Sequence, residues 1–149
     1  MRAAEICTRH VVYIDRRASV REAAQSMRAN HVGALVITEQ PNGERVPAGI
    51  ITDRDIAISV VAAGIQPENL TVEDVMSGNL ATCTESEDLF DIIATMLARS
   101  VRRLPVVNDK GGLVGMISAD DLYGALSTHL RMLSQALARE QVREMEARN

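Results

Sequence analysis

The sequence predicts an α/β (α+β) fold in which two tandem β-α-β-β-α repeats pack with pseudo-two-fold symmetry, followed by an extended C-terminal helix. A short motif occurs twice, and the apolar pattern keeps register between the halves at a shift of 69 residues, which sets Met27 on Met96. A stripe of leucines also runs on beyond the second repeat. Each half has about 60 residues and would bury only a marginal core by itself, so we expect the halves to pack on each other.

The strands and the first long helix follow from periodicity and turn residues. Three short apolar runs in each half predict strands. They lie at residues 11–14, 34–37, 48–51, 80–83, 104–107 and 113–117. Between the first two runs, Ser19 can cap a helix. The inward face of that helix carries Val20, Ala23, Ala24 and Met27.

The second half repeats this order. Its long helix follows Ser86 or Glu87, and its stripe has i, i+3, i+4, i+7 spacing. The stripe consists of Leu89, Ile92, Ile93, Met96 and Leu97. Further helices are expected after Thr52 and after Ser118, and a short helical turn is expected before each half. The chain is thus divided into a first repeat at residues 1–61, a linker at 62–71, a second repeat at 72–128 and a helical extension at 129–149.

The duplicated motif is an apolar strand that closes on a hydroxyl residue, with an aspartate three positions later. It reads GIITDRD, containing Thr52 and Asp55, and GMISADD, containing Ser118 and Asp121. A hydroxyl and free N–H groups at a helix N-terminus can hold an anion, and a carboxylate can accept from two sugar hydroxyls. Two copies therefore indicate a nucleotide-sized cleft. The alternative is that each motif is only a helix cap.

Composition and charge exclude several function classes. The net charge is −4, which disfavours a general affinity for nucleic acid or for an anionic membrane. No run approaches the length of a transmembrane helix, and the N-terminus lacks the apolar core of a signal peptide. Cys7 and Cys83 lie in apolar contexts and form no CxxC pair. We expect both to be reduced packing residues in a cytoplasmic protein.

The residues do not predict catalysis. His10, His31 and His129 are scattered, without acidic or cysteine partners at metal-ligand spacing. The chain shows neither a nucleophile–base pair nor a Walker-type phosphate loop. We therefore expect no enzyme activity, no metal site and no obligatory cofactor.

Four segments of the second half carry a family resemblance: DVMS, a helix over residues 88–100, VRRLPVV, and the motif with Ser118 and Asp121. In this order they resemble a cystathionine β-synthase (CBS) domain. Residues 5–60 resemble a second copy, so that residues 3–128 are similar to the tandem pair called a Bateman module. The resemblance implies a pseudo-two-fold disc with adenine nucleotides in clefts between the sheets of the two repeats.

The resemblance also implies roles for single residues. Thr52 and Ser118 would contact phosphate, and Asp55 and Asp121 would accept from the ribose hydroxyls. Main-chain groups at the first strand of each repeat would bind the adenine. The positions concerned are Thr8, His10, Val11, Ser77, Asn79 and Leu80. AMP, ADP, ATP, NAD and S-adenosylmethionine all stay open as the ligand.

Three arginines are candidates for neutralising the phosphates. Arg54, Arg102 and Arg103 carry guanidinium groups that match phosphate geometry, and the alternative for each is ordinary surface solvation. The shift of 69 residues aligns Gly33 and Ala34 with Arg102 and Arg103. We therefore expect the two clefts to differ in charge and to be unequally occupied.

The leucine stripe predicts a long C-terminal helix, expected from about residue 120 to residue 148. It consists of Leu122, Leu126, Leu130, Leu133 and Leu137. Such a helix is roughly 40 Å long, which exceeds what one small repeat needs. Either it covers its own chain or it contacts a second copy, because an apolar stripe must be buried somewhere. We favour a homodimer.

Two functional classes are compatible with these observations. The first is a non-catalytic sensor module that binds an adenine nucleotide and signals its occupancy to a partner protein. The second is a structural or interaction module with vestigial clefts, which acts through dimerisation and its C-terminal helix. No effector domain is encoded within the 149 residues, so we expect the regulated protein to be a separate chain.

Overall fold

The computed structural model describes residues 1–148, and its two halves share one order of elements. The first half contains α1 (Ala3–Ile6), β1 (Tyr13–Asp15), α2 (Val20–Asn30), β2 (Ala34–Glu39), β3 (Val46–Thr52) and α3 (Asp53–Ile56). The second half contains α4 (Val72–Val75), β4 (Cys83–Thr84), α5 (Leu89–Arg99), β5 (Arg103–Val107), β6 (Leu113–Ser118) and α6 (Ala119–Ala147). The predicted fold class is confirmed. Asn149, the last residue of the predicted extension, lies outside the described residues.

Each half builds its own three-stranded sheet. The orders are β1-β2-β3 and β4-β5-β6, with the first pair of each sheet parallel and the second pair antiparallel. The register sets Leu35 beside Ile51 in the first sheet and Leu104 beside Ile117 in the second. All four side chains are fully buried. Equivalent pairs thus anchor equivalent cores.

The first strand of each half begins later than the apolar run predicts. β1 starts at Tyr13 and β4 at Cys83, whereas the runs start at residues 11 and 80. The residues before β1 bend away because Thr8 pairs with Met116 in the sheet of the other half. Part of each run is therefore a connection between the halves.

The caps of the two long helices differ. Ser19 caps α2 as predicted, since its hydroxyl accepts from the backbone N–H of Glu22 at 3.1 Å. Asp88 caps α5 by accepting from the backbone N–H of Phe90 at 3.0 Å, so the prediction of Ser86 or Glu87 is wrong. Glu87 instead accepts from the backbone N–H of Thr84, in the turn before the helix.

The inward faces of these helices are narrower than predicted. Ala24 is exposed on α2, and the side chain of Leu97 on α5 is 78% exposed. Leu97 lies eight residues after Leu89, at the edge of the stripe, whereas Ile92 and Met96 fall at its centre and are buried. Both outward assignments correct the predicted stripes.

The two cores exchange their short helices. Val72 of α4 packs into the core of the first half, with Leu35 and Ile51. Ala3 of α1 packs into the core of the second half, with Ile92. Backbone hydrogen bonds fix both helices, including 2.8 Å from Val72 N–H to the Ala18 carbonyl and 2.9 Å from Ala3 N–H to the Glu87 carbonyl. Each core is therefore completed by residues from the other half.

Only the start of α6 packs on the body of the protein. Leu122 is buried and Leu126 is half-buried, but every residue from 127 to 147 is exposed. Within residues 1–148, no segment covers Leu130, Leu133 or Leu137, so the interpretation in which the tail covers its own chain is wrong. Across the same residues, no helix has both the length and the apolar character needed to cross a membrane.

Candidate functional site

The exchanged N-terminal segment of each half continues into the sheet of the other half. Thr8 and Met116 of β6 exchange two backbone hydrogen bonds of 2.9 Å each. Ser77 and Ile50 of β3 form the equivalent antiparallel bridge. The hydroxyl residue of each motif lies two positions beyond the bridged strand residue. Each motif therefore lies beside a segment from the opposite half.

A cleft of about 300 Å³ lies at one of these junctions. Its walls come from the segment before β1, the turn between α2 and β2, and the strands and helix start of the second half. Six residues that the sequence singles out line it: Thr8, His10, Val11, Arg103, Ser118 and Asp121. The remaining lining residues are Val12, Val32, Gly33, Ala34 and Met116. The cleft thus combines an apolar floor with a hydroxyl, a carboxylate and a guanidinium group.

Ser118 and Asp121 form a capping box at the start of α6. The Asp121 Oδ2 atom accepts from the Ser118 backbone N–H at 2.8 Å and from its hydroxyl at 2.7 Å. The Ser118 Oγ atom accepts from the Asp121 backbone N–H at 3.1 Å. Both residues therefore cap the helix, as the alternative interpretation requires. Within residues 1–148 these bonds use only Oδ2, which leaves Asp121 Oδ1 to face the cleft without a protein donor.

The first copy of the motif has nearly the same geometry. Thr52 N–H donates to Asp55 Oδ2 at 2.9 Å, and Asp55 N–H donates to Thr52 Oγ1 at 3.1 Å. Both side chains are half-buried at the end of β3. The bridge between Ser77 and Ile50 brings the opposite segment to the same strand. This edge is the pseudo-symmetric counterpart of the 300 Å³ cleft.

The other predicted site residues lie around this second edge rather than in the cleft. Asn79 is exposed and Leu80 is half-buried, and both follow Ser77 along the chain. Arg54 is exposed in the first turn of α3. Arg102 is exposed and forms an ion pair with Asp120 at 3.7 Å. At the aligned position in the first half, Gly33 lines the 300 Å³ cleft, so the two sites differ in charge as predicted.

The sequence analysis missed the role of the motif glycines. A Cβ atom on Gly115 would lie 2.9 Å from Cys7 Sγ and 3.1 Å from the Thr8 carbonyl oxygen. A Cβ atom on Gly49 would lie 2.7 Å from Met76 Sδ. Only glycine lets the exchanged segment approach the strand this closely. The available signal was that Cys7 and Met76 align at the same shift of 69 residues.

Both cysteines are free thiols, as predicted. Burial raises the pKa of Cys83 to about 12, and the neighbouring Glu87 and Cys7 raise it further. The thiol therefore stays protonated at neutral pH and acts as a packing residue. Within residues 1–148, no group of three or more His, Cys, Asp or Glu side chains could hold a metal ion.

Comparison with known proteins agrees with this architecture. An uncharacterised protein of Methanopyrus kandleri is 33% identical over 118 residues, which are 79% of this chain and 59% of that protein. A CBS domain-containing protein of Bacillus subtilis is 35% identical over 115 residues, 77% of this chain and 78% of that protein. The chain thus spans less than two thirds of the first relative and more than two thirds of the second.

Solved structures with the same fold include a CBS domain protein from Pyrobaculum aerophilum complexed with AMP. It has a TM-score of 0.72 and 26% identity, over 81% of this chain and 89% of that one. A hexameric protein with a CBS domain from bloom-forming cyanobacteria has a TM-score of 0.72 and 27% identity, over 83% of this chain and 66% of that one. The family model for the CBS domain matches residues 3–62 and again residues 72–128. The chain therefore belongs to the CBS-domain family, as a tandem pair of CBS domains.

Proposed function

We propose that the protein is a non-catalytic sensor that binds an adenine nucleotide between its two repeats. The cleft at the junction of the halves is the observation that supports this most strongly. It joins Ser118, Asp121 and Arg103 from one repeat to the Thr8–Val11 segment of the other. The Pyrobaculum aerophilum relative, which was solved with AMP, supports the adenine nucleotide as the ligand class.

The hydrogen bonds of the cap suggest how a nucleotide is held. The Ser118 hydroxyl donates to Asp121 Oδ2 in the free protein. When a phosphate arrives, that hydroxyl turns to donate to it, and Asp121 Oδ2 is then free beside Oδ1. The carboxylate can accept from both ribose hydroxyls while it keeps the bond from the Ser118 backbone N–H. Arg103 supplies the positive charge for the phosphate.

The two clefts are proposed to bind with unequal affinity. Gly33 lines the first cleft, whereas Arg102 holds the aligned position in the second and is paired with Asp120. The second cleft therefore carries the higher positive charge and the first the more open entrance. A ligand with more phosphates should prefer the edge beside Thr52 and Asp55.

The site offers binding groups rather than a reaction. The hydroxyls and carboxylates of both motifs are engaged in helix caps, and no histidine or cysteine accompanies them as a base or a nucleophile except His10 at the rim of the first cleft. We therefore propose that occupancy changes the relation of the two repeats and is read by a separate protein. The free thiols support a cytoplasmic location.

Isothermal titration with AMP, ADP, ATP, NAD and S-adenosylmethionine tests this function. At least one of these ligands should bind with two unequal affinities. Crystals grown with that ligand should show density beside Asp121. If no adenine ligand binds, the second functional class holds instead, in which the clefts are vestigial and the protein acts through interaction surfaces.

A further inference from the structure

The C-terminal part of α6 is a helix without a partner in its own chain. The whole helix has 29 residues and is about 43 Å long. Leu130, Leu133 and Leu137 are 66%, 59% and 55% exposed. They continue the face that Leu122 and Leu126 turn towards the body of the protein. A stripe of this length in water indicates a contact surface.

The spacing of the stripe reads the same in both directions. Leu126, Leu130, Leu133 and Leu137 are separated by four, three and four residues. Two antiparallel copies of α6, centred between residues 131 and 132, therefore set every leucine against another leucine. Leu126 meets Leu137 of the second copy, and Leu130 meets Leu133. Such 4-3-4 spacing is the pattern by which paired helices interlock.

Charges beyond the leucines favour the same antiparallel register. It sets Asp120 level with Arg143 of the second copy, and Tyr123 level with Glu140. The first pair has opposite charges, and in the second a phenol hydroxyl can donate to a carboxylate. A parallel pair in register would set Glu140 against Glu140 and Arg143 against Arg143. Those like charges repel each other.

The same register fills an apolar groove between α5 and α6. The groove has a volume of about 370 Å³ and is lined by apolar side chains of both helices, including the exposed Leu97 and Tyr123. Its α6 wall runs from Ala119 to Leu126. In the antiparallel register this wall lies level with residues 137–144 of the second copy, where Val142 is 55% exposed. The tail that lacks a partner and the groove that lacks an occupant therefore fit each other.

We propose that two copies of this chain associate by laying the C-terminal part of α6 of each copy, antiparallel, in the α5–α6 groove of the other. The exchange is reciprocal, so it closes as a two-fold dimer. It does not depend on nucleotide binding, because the groove shares no residue with the cleft.

Disulfide trapping tests the register. Leu126→Cys and Leu137→Cys chains are prepared separately and then mixed under mild oxidation. In the antiparallel dimer, position 126 lies beside position 137 of the other copy, whereas two copies of either position are about 16 Å apart along the axis. A disulfide needs Cα atoms within about 7 Å. The mixture should therefore form a covalent dimer, and each variant alone should not. The parent chain controls for Cys7 and Cys83.

The opposite results overturn the proposal. Covalent dimers of each single variant, without a mixed product, would show parallel helices. A parent chain that sediments as a monomer at every concentration would show that the groove and the tail do not bind each other.

A second measurement covers the case in which a cysteine variant fails to fold. Asp120→Arg and Arg143→Asp are both exposed changes. Each alone should raise the dimer dissociation constant by about tenfold, since the pair occurs twice in the dimer. The double variant should restore most of the affinity. Additive losses in the double variant would contradict the register.

Discussion

Thr8 and Met116 exchange two backbone hydrogen bonds of 2.9 Å, although 108 positions separate them in the chain. The pair joins the first half to the second sheet directly below the Ser118 and Asp121 motif. Gly115 makes this possible, because any side chain there would collide with Cys7. The same contact therefore supports the fold and shapes the cleft.

Gly115→Ala should destabilise the protein and weaken nucleotide binding together. The added methyl group would lie 2.9 Å from Cys7 Sγ, so the N-terminal segment must shift. Over-packing of this kind costs about 1–3 kcal/mol of the free energy of unfolding. Gly124→Ala is the matched control, since nothing lies within 4 Å of its Cβ position in α6. It should stabilise the helix by about 0.5–1 kcal/mol. Thermal unfolding of both variants measures the contrast, and equal stabilities would refute the packing role of Gly115.

Asp121→Ala and Asp55→Ala should each weaken binding in the cleft that they serve. The loss of bonds to a charged acceptor costs about 1.5–3 kcal/mol, which is roughly 10- to 150-fold in affinity. Both variants also lose a helix cap, so the control must lose a cap as well. Asp74→Ala provides it, because Asp74 accepts from Thr71 N–H at 2.9 Å and from the Thr71 hydroxyl at 3.0 Å in the equivalent cap of α4. Titration should show unchanged affinity for Asp74→Ala. If all three variants bind as the parent does, the ribose assignment is wrong.

Nucleotide occupancy should stabilise the fold without turnover. A ligand at about 100 times its dissociation constant adds roughly 2.7 kcal/mol to the free energy of unfolding. The melting temperature should rise with nucleotide concentration, and chromatography should recover the nucleotide unchanged. Steady release of phosphate that is abolished in Asp121→Ala would falsify the non-catalytic interpretation.

Truncation after Ser127 should leave the clefts folded and weaken self-association. All motif residues lie upstream of the cut, and residues 128–147 are exposed along their whole length. Sedimentation of the full and truncated chains measures the change, and nucleotide titration checks that the clefts survive. Dimers of equal strength would show that the tail contributes nothing to the interface.

The stability should fall in acid partly through Asp88. Its bond from the Phe90 backbone N–H lowers the pKa of the Asp88 carboxyl below its value in the unfolded chain. A lowered folded-state pKa means that the stabilisation is complete above about pH 4 and is lost as the pH falls through the folded-state pKa. Asp88→Asn should therefore flatten the pH dependence of the urea midpoint below pH 4. An identical acid curve for the parent and the variant would contradict this.

The sequence was sufficient for the parts of the fold that depend on local patterns. The strands that contain Leu35, Ile51 and Leu104 and the cap at Ser19 follow from periodicity and turn chemistry. Thr71 also caps a short helix before the second half, as its sequence predicts. The division into repeats at residues 1–61 and 72–128 stays a prediction, since each core contains a helix from the other half.

The remaining features depend on contacts between distant segments. The exchange of α1 and α4 leaves no local signal, because a short helical turn reads the same whichever core it joins. Leu97 has the composition of a core residue and is exposed only because of the way α5 packs beside α6. The cleft brought together Thr8 and Ser118 as the motif suggested, whereas the roles of Gly49 and Gly115 required the positions of Met76 and Cys7.

The exchanged helices also bear on how the molecule unfolds. Removing α4 from the first core takes away the fully buried Val72, and removing α1 from the second takes away the fully buried Ala3. Neither repeat can then open alone, because opening one strips the other of part of its interior. The tandem pair therefore behaves as a single cooperative unit, in which a molecule bound on one side raises the cost of opening both.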